Sequence, residues 1–228
     1  LTAAPNLSAD SNTYLKTENL QVTGSFKVRG AYYKISQLTE EEKSRGIIAC
    51  SAGNHAQGVA LAATQNGIKS VVCMPDGAPI SKVEATKRLG AEVCLVPGAY
   101  DDAYAKACEL QQEPGATFIH PFDDDMVIAG QGTIGLEILD QLENVDAVIV
   151  PIGGGGLISG VAFAIKSLRP DVKVYGVQAA GAPSMFNSVH DHVQETLPAV
   201  STFADGIAVK RPGDTTFAMV EQYVDEIV

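Results

Sequence analysis

A lysine set among apolar and small residues is the first position at which this chain could do chemistry. Lys27 follows Phe26 directly and precedes Gly30 and Ala31. A lysine held in apolar surroundings loses part of the hydration of its charged form, so its pKa falls and its amine becomes available as a nucleophile or base. This is the chemistry of a Schiff-base lysine. The stretch alone is more typical of an exposed lysine near a helix start, so a reaction partner must come from elsewhere in the chain.

A run of glycines far downstream supplies such a partner. The four residues from Gly153 to Gly156 follow an apolar strand pattern over 147–152 and precede a helical pattern. Successive glycines let backbone N–H groups converge, and the N-terminus of the following helix adds partial positive charge. The run lacks both the Lys-Ser/Thr ending of an ATP-binding loop and the spaced glycines of a dinucleotide fingerprint. It therefore predicts a phosphate-binding loop that matches neither nucleotide motif.

A small-residue turn between these two stretches is the third candidate. It runs from Ser51 to Gly58 and presents one amide, Asn54, and one imidazole, His55. The turn and the glycine run each come directly after a predicted strand. Because ligands of open parallel sheets bind beyond the carboxyl ends of the strands, both stretches are expected to contribute to one site.

The elements that must position these residues alternate along the chain between short apolar strands and helical segments. Such alternation predicts crossover units and parallel sheets, the pattern of the α/β class. The predicted strands are 13–16, 47–50, 70–74, 91–96, 117–120, 147–152 and 172–177, and the predicted helices are 30–38, 55–65, 82–89, 100–112, 127–142, 157–168 and one that begins near 214. Residues 179–212 are predicted to be rich in loops.

Taken in order, the three stretches resemble those of the fold-type II pyridoxal-phosphate enzymes, in particular the serine/threonine dehydratase (threonine ammonia-lyase) family. The resemblance covers essentially the whole chain and extends to 17–21, 130–133 and 204–206. It implies an α/β fold of the tryptophan synthase β type, with two open parallel-sheet domains and the cofactor in the cleft between them. It also implies a large cofactor-binding domain over 1–45 and 124–228, whose C-terminal part is expected to be missing, and a small domain over 46–123.

The resemblance also assigns roles to individual residues. Lys27 is expected to form a Schiff base with pyridoxal 5'-phosphate and to remove the substrate's Cα proton, while Phe26 packs on the pyridine ring and Asn54 bonds its hydroxyl. The expected cofactor-binding residues are Phe26, Lys27, Asn54, Gly153, Gly154, Gly155, Gly156, Leu157 and Gly206. The substrate carboxylate is expected at Ser51, Ala52, Gly53, Asn54 and His55, mainly through backbone N–H groups and the Ser51 hydroxyl.

The activity implied is β-elimination from L-threonine or L-serine, which gives 2-oxobutanoate or pyruvate and ammonia. Serine racemases of the family carry a serine at the position of Ala52, where it reprotonates the opposite face of the carbanion, so a dehydratase is favoured over a racemase. A β-replacement enzyme and a non-catalytic pyridoxal-phosphate or amino-acid binding module stay open as alternatives. The preference between threonine and serine depends on one methyl group and cannot be read from these motifs.

No metal site is expected. The carboxylates that bind a cation in racemase-like relatives would fall at Gln178 and Ser184, and neither residue is acidic. The acidic run 123–125 precedes a predicted helix, where N-capping is the better interpretation. His190 and His192 flank an aspartate but lack a third ligand, so a solvated loop is expected there.

Composition excludes several classes of protein. The chain has 228 residues and a net charge of −11, which argues against a nucleic-acid or anionic-membrane partner. Its four cysteines form no C-x-x-C pair and are expected to be buried, reduced thiols of a cytoplasmic protein. No apolar stretch is long enough to span a bilayer. The partners expected are a small amino-acid substrate and, from the resemblance, further copies of the chain in a homodimer or homotetramer.

Overall fold

The computed structural model describes residues 1–112 and 115–228. Its strands are β1 Thr2–Ala3, β2 Tyr14–Leu15, β3 Ile47–Cys50, β4 Ser70–Pro75, β5 Glu92–Val96, β6 Thr117–Phe118, β7 Ala147–Pro151, β8 Lys173–Val177 and β9 Glu226–Ile227. Its α-helices are α1 Lys27–Ser36, α2 Glu40–Arg45, α3 Asn54–Gln65, α4 Ile80–Arg88, α5 Tyr100–Gln112, α6 Asp125–Gln141, α7 Gly156–Leu168, α8 Ser184–Asp191 and α9 Asp214–Tyr223.

Two parallel sheets organise the chain. The first has the strand order β5-β4-β3-β6 and the second the order β7-β8-β9, while β1 and β2 form a short antiparallel pair. The α/β class, which the alternation of elements predicts, and the two open parallel sheets, which the resemblance implies, are both confirmed. Parallel strands need crossover connections, and helices supply them here.

Both faces of the first sheet are covered, which explains why β3 is apolar throughout. Ile48 and Cys50 face α5, where they pack against Ala103 and Ala107. The alternate β3 residues pack on the opposite side, in a core that includes Val59 of α3. Side chains alternate across a strand, so a strand between two helical layers needs apolar residues at every position.

The second sheet packs its core against α6, α7 and α9. Val148 and Val150 of β7 are buried with Ile158 and Ile165 of α7. The other face of β7 is open in the part of the chain that the structure describes, since Ile149 is 70% exposed.

Helix α1 lies between the two sheet systems and packs on both α3 and α6. Two glycines allow the second contact, because a Cβ at Gly130 would lie 2.6 Å from the Cα of Gly30. A third glycine allows the first contact, since a Cβ at Gly58 would lie 3.1 Å from the backbone of Lys27. The first turn of α1, which carries Lys27, is therefore held between two helices at backbone contact.

Several boundaries differ from those predicted. Helix α1 begins at Lys27, three residues before the predicted start, and the Ser25 hydroxyl accepts its backbone N–H at 3.3 Å. The region predicted to be loops contains α8, an eight-residue helix. Helix α5 has the predicted bounds. Two of the four free cysteines, Cys50 and Cys73, are buried as predicted, whereas the other two are half-buried.

Among the helices of the described residues, none combines the length and the apolar character that a bilayer crossing requires.

Candidate active site

The amine of Lys27 is held by a backbone carbonyl and not by a carboxylate. Lys27 Nζ donates to Pro121 O at 2.7 Å and lies 5.5 Å from the centroid of the Phe26 ring. Within the described ranges no acidic side chain forms an ion pair with it. Burial lowers the pKa of Lys27 to about 8, because the ammonium form loses hydration without gaining a counter-charge. A substantial fraction of the amine is therefore neutral near physiological pH.

The neighbouring cation, Arg29, is fully paired and fixes the start of α1. Its guanidinium donates to both carboxylate oxygens of Glu18 and to both of Glu137, as well as to Thr133 Oγ1. The hydrogen bonds from Arg29 lower the pKa of Glu137 to about 2. The two cations thus have different roles. The Lys27 amine is available for chemistry, whereas Arg29 fixes the start of α1 through its hydrogen bonds. Glu18 and Thr133 lie within the stretches 17–21 and 130–133 that carry the family resemblance, but no local pattern in the sequence indicates that they bond Arg29.

A short segment from Ile119 to Phe122 brings two titratable side chains together. His55 Nε2 bonds Ile119 O at 2.9 Å, and Lys27 Nζ bonds the carbonyl two residues further along. Since a carbonyl only accepts, His55 Nε2 carries the proton and Nδ1 is an acceptor, for which the described residues provide no donor. Burial, and then the charge of Lys27, lowers the pKa of His55 to about 3. His55 is therefore neutral and leaves an open acceptor beside the lysine.

The same segment supports the glycine loop. A Cβ at Gly154 would lie 2.5 Å from the ring of Phe122, and one at Gly156 would lie 2.8 Å from the backbone of Phe122. Gly155 has a φ of +99°, a left-handed conformation that favours glycine. Thr216 Oγ1 donates to Gly154 O at 2.6 Å and fixes that carbonyl. Any side chain at these three positions would displace the loop.

The glycine loop ends in an open helix N-terminus. Gly155 is the N-cap residue of α7, and it has no side chain that could accept the N–H groups of the first turn. These groups have no partner within the helix, and the helix dipole adds partial positive charge to them. The predicted residue Gly206 lies beside the loop, because a Cβ at Gly153 would lie 3.5 Å from its carbonyl oxygen. Leu157 is in the first turn of α7.

The turn from Ser51 to His55 forms a second open N-terminus, that of α3. Gly53 is its N-cap residue and provides no side-chain cap, and Asn54, the first helical residue, is exposed. Ser51 Oγ accepts the N–H of Gly53 at 3.2 Å, which orders the turn. Ala52 is half-buried. The turn lies close to Lys27. The charge of Lys27 acts on His55, and a Cβ at Gly58 of the same helix would lie 3.1 Å from the backbone of Lys27.

The acidic run acts as a set of helix caps, as predicted. Asp124 Oδ1 accepts the N–H groups of Met126 and Val127 at the start of α6. Asp123 accepts three N–H groups, those of residues 214 to 216, at the start of α9. The two surface histidines bond carboxylates, His190 with Asp191 and His192 with Glu221. The described residues contain no group of three or more ligands that could hold a metal ion.

One groove lies away from these residues. It has a volume of about 920 Å³ and is lined by the first residues of β3, β4 and β5, among them Ile47, Ser70 and Glu92. This is the amino edge of the first sheet, whereas the Ser51 turn follows its carboxyl edge. Because ligands of parallel sheets bind at the carboxyl edge, the groove has no role in the site.

The donor set fits a cofactor that has both an aldehyde and a phosphate group. The Lys27 amine, which has no acidic partner among the described residues, is suited to an aldehyde, and the side-chain-free N-terminus of α7 is suited to a phosphate. Pro121 and Phe122 join the two features, since one bonds the amine and the other packs on the glycine loop.

Comparisons with known proteins agree with this fit. The family model described as "Pyridoxal-phosphate dependent enzyme" matches residues 1–228. An L-threonine ammonia-lyase of Thermotoga maritima is 58% identical over 215 residues, which are 94% of this chain and 54% of that protein. The structure of a processed threonine deaminase isoform of Solanum lycopersicum superposes with a TM-score of 0.97 at 45% identity, over 100% of this chain and 63% of that one.

A second solved structure shows the same fold in a protein named for a different reaction. The structure of maize serine racemase superposes with a TM-score of 0.96 at 37% identity, and covers 100% of this chain and 69% of that one. The chain thus spans about half to two thirds of the length of these proteins. The fold is common to proteins named for different reactions, so the choice between reactions depends on individual site residues.

Proposed function

This chain belongs to the pyridoxal-phosphate-dependent enzymes, and on that premise we propose that it catalyses the β-elimination of L-threonine, L-serine or both. The products would be 2-oxobutanoate from threonine and pyruvate from serine, each with ammonia. The observation that carries the proposal is the Lys27 amine, which has no acidic partner among the described residues and shares the 119–122 segment with the glycine loop. Relatives named for threonine deamination support the choice of reaction.

The proposed cofactor-binding residues combine the geometry of the site with the roles that the family resemblance implies. Lys27 would bind pyridoxal phosphate covalently as a Schiff base, and the N–H groups of Gly153 to Leu157 would hold the phosphate. Phe26 would pack on the pyridine ring, Asn54 would bond its hydroxyl, and Gly206 would line the site beside Gly153. When bound, the cofactor would supply a conjugated ring that delocalises the electron pair left at Cα.

The chain's own residues would then divide the remaining work. The N–H groups at the start of α3, with the Ser51 hydroxyl, would hold the substrate carboxylate in the turn from Ser51 to His55. The amino group of the substrate would replace Lys27 on the cofactor and release it as a free amine. That amine would take the Cα proton, which its pKa of about 8 makes possible near neutral pH. The neutral His55 beside it adds no competing positive charge. The β-hydroxyl group would leave next, and the enamine product would hydrolyse to the 2-oxo acid and ammonia.

Position 52 separates this reaction from racemisation. Ala52 has no proton to donate, whereas reprotonation of the opposite face of Cα would require an acid at that position. The high structural similarity to a serine racemase therefore does not transfer that activity to this chain. Formation of D-serine from L-serine would contradict this assignment.

A direct assay tests the proposal. The gene product, supplied with pyridoxal phosphate, should release 2-oxo acid from L-threonine or L-serine. Lys27→Ala should reduce turnover by at least about 10²–10⁴-fold, the range for removing an acid–base group. Lys43→Ala is the matched control, because within residues 1–112 and 115–228 the ammonium of that lysine pairs only with the exposed Glu40. Cofactor binding without 2-oxo acid release would instead favour the binding-module or β-replacement alternative.

Three coarser features complete the proposal. We propose a division into a large domain, 1–45 and 124–228, and a small domain, 46–123, which the separate sheets at 47–118 and 147–227 support. We also propose a homodimer or homotetramer. It is supported by a groove at α1 that exposed apolar residues line, namely Val22 and, from α1 itself, Tyr32 and Tyr33. A cytoplasmic location is consistent with the free cysteines, and burial raises the pKa values of the Cys50 and Cys73 thiols to about 12.

A further inference from the structure

One ion pair joins the two parts of the chain that carry the two open helix N-termini. Lys82 Nζ in α4 donates to Asp205 Oδ2 at 3.0 Å, across 123 positions of sequence. Among the described residues it is the only side-chain hydrogen bond between 46–119 and 124–228. The other side-chain hydrogen bonds of the described residues lie within one of these two ranges, involve residues 1–45 or begin at 120–123.

Each end of this ion pair lies beside one half of the candidate site. The Lys82 ammonium is 3.9 Å from where a Cβ of Gly53 would be, so it is next to the turn proposed for the substrate carboxylate. Asp205 precedes Gly206, whose carbonyl oxygen lies beside Gly153 of the glycine loop. The pair therefore links the Ser51 turn to the segment that lies beside the glycine loop.

The ion pair is weak enough to be exchanged. The Lys82 side chain is 34% exposed and that of Asp205 is 82% exposed. An exposed pair of this kind contributes little, because water screens both charges. A substrate carboxylate in the turn would offer Lys82 a second acceptor, close to the uncapped N–H groups at the start of α3. The lower pKa of the Asp205 carboxyl, caused first by its bond to Lys82, agrees with a proximal positive charge.

We propose that Lys82 is a further substrate-binding residue, whose ammonium is held beside Gly53 by Asp205 and binds the substrate carboxylate when the amino acid enters. This inference rests on the proposed function, because it takes the Ser51 to His55 turn as the carboxylate site. Asp205 acts as a competing acceptor, which keeps the ammonium in place in the free enzyme and weakens its attraction for substrate. The expected partner is therefore any amino acid with a free α-carboxylate.

Two substitutions separate this role from a structural one, because they act in opposite directions. Lys82→Met removes the charge and should raise the KM for L-threonine about two- to tenfold, with kcat nearly unchanged. Asp205→Asn removes the competitor and should leave the KM unchanged or lower it. Lys82→Arg should retain a KM within about twofold of the wild type. Lys87→Met is the matched control, because Lys87 lies on the same helix and, in the part of the chain that the structure describes, pairs only with Glu84.

A ligand without the carboxylate gives the second test. Binding of L-threonine and of L-threoninol, in which a hydroxymethyl group replaces the carboxylate, is followed by the absorbance of the bound cofactor. Lys82→Met should weaken binding of threonine about two- to tenfold and leave binding of threoninol unchanged. This readout does not need turnover, so failure of the elimination reaction in the wild type would contradict the proposed function and still leave Lys82 testable.

Three outcomes would overturn the proposal. If Lys82→Met and Asp205→Asn raise the KM by the same factor, the ion pair only holds the two parts together. If Lys82→Met weakens threonine and threoninol equally, its effect is on the structure of the turn. If it changes neither, the ammonium does not reach the substrate.

Discussion

Replacing Gly130 with alanine tests whether the close contact between α1 and α6 determines the position of Lys27. A Cβ at residue 130 would lie 2.6 Å from the Cα of Gly30 and 2.7 Å from the carbonyl oxygen of Arg29. Carbon atoms in contact normally lie about 3.5–4.0 Å apart, so the two helices must separate by about 1 Å. Both neighbouring atoms belong to the backbone, and no side-chain rotation can relieve the contact.

The cost and its consequence can be stated in advance. Overpacking of this kind destabilises a protein by about 1–3 kcal/mol. For a chain of this size, that corresponds to a fall in the melting temperature of about 2–12 °C. The displaced first turn of α1 also carries Lys27, whose amine is positioned by the 2.7 Å bond to Pro121 O. Cofactor binding should weaken together with stability.

The assay is thermal unfolding followed by circular dichroism, with cofactor titration by absorbance. Gly77→Ala is the control, because a Cβ at Gly77 meets no atom within 4 Å and its φ is not positive. This control should be unchanged or about 0.4–1 kcal/mol more stable. If the Gly130→Ala protein melts within about 1 °C of the Gly77→Ala protein and binds cofactor equally well, the close helix contact does not control the site.

Two other predictions concern charge. Lys27→Met removes a charge whose burial is unfavourable and should stabilise the cofactor-free protein at pH 7 by about 1–2 kcal/mol. A lowered pKa corresponds to about 1.4 kcal/mol per pH unit, and we expect less than this full amount because the side chain is partly open to solvent. The pKa of about 8 in the folded protein is below the ordinary lysine value of 10.5, so the unfolded chain binds more protons between these two pH values. Wild-type stability should therefore rise with pH over this range, and the advantage of the variant should disappear. A difference in urea unfolding that does not change with pH would contradict this. Asp123→Ala removes the acceptor of three N–H groups at the start of α9 and should lower the free energy of unfolding in urea by about 1–3 kcal/mol. Asp123→Asn keeps one acceptor oxygen and should lower it less. Equal losses in the two variants would mean that the cap is purely ionic.

The sequence alone was sufficient for the α/β class and for the order of the main strands and helices, although helix α8 was missed. Strand and helix patterns depend on local periodicity, and for α5 they give the observed bounds. The sequence also identifies the three stretches around Lys27, Asn54 and Gly153, because glycines and small residues allow backbone conformations and close approaches that larger residues prevent. Boundaries at helix starts were less well predicted, since α1 begins three residues early with help from the Ser25 hydroxyl.

Only the tertiary structure decided which groups around the lysine are free and which are used. The sequence contains Lys27 and Arg29 two positions apart, and nothing local shows that Arg29 takes both Glu18 and Glu137 while Lys27 bonds Pro121 O. The partners are 11 to 108 residues away, so packing of α1 between two helices determines them. The same holds for Lys82 and Asp205, whose pairing across 123 positions has no counterpart in local periodicity. Local patterns record backbone conformation, whereas the hydrogen-bond partners and pKa values of these side chains depend on residues distant in sequence.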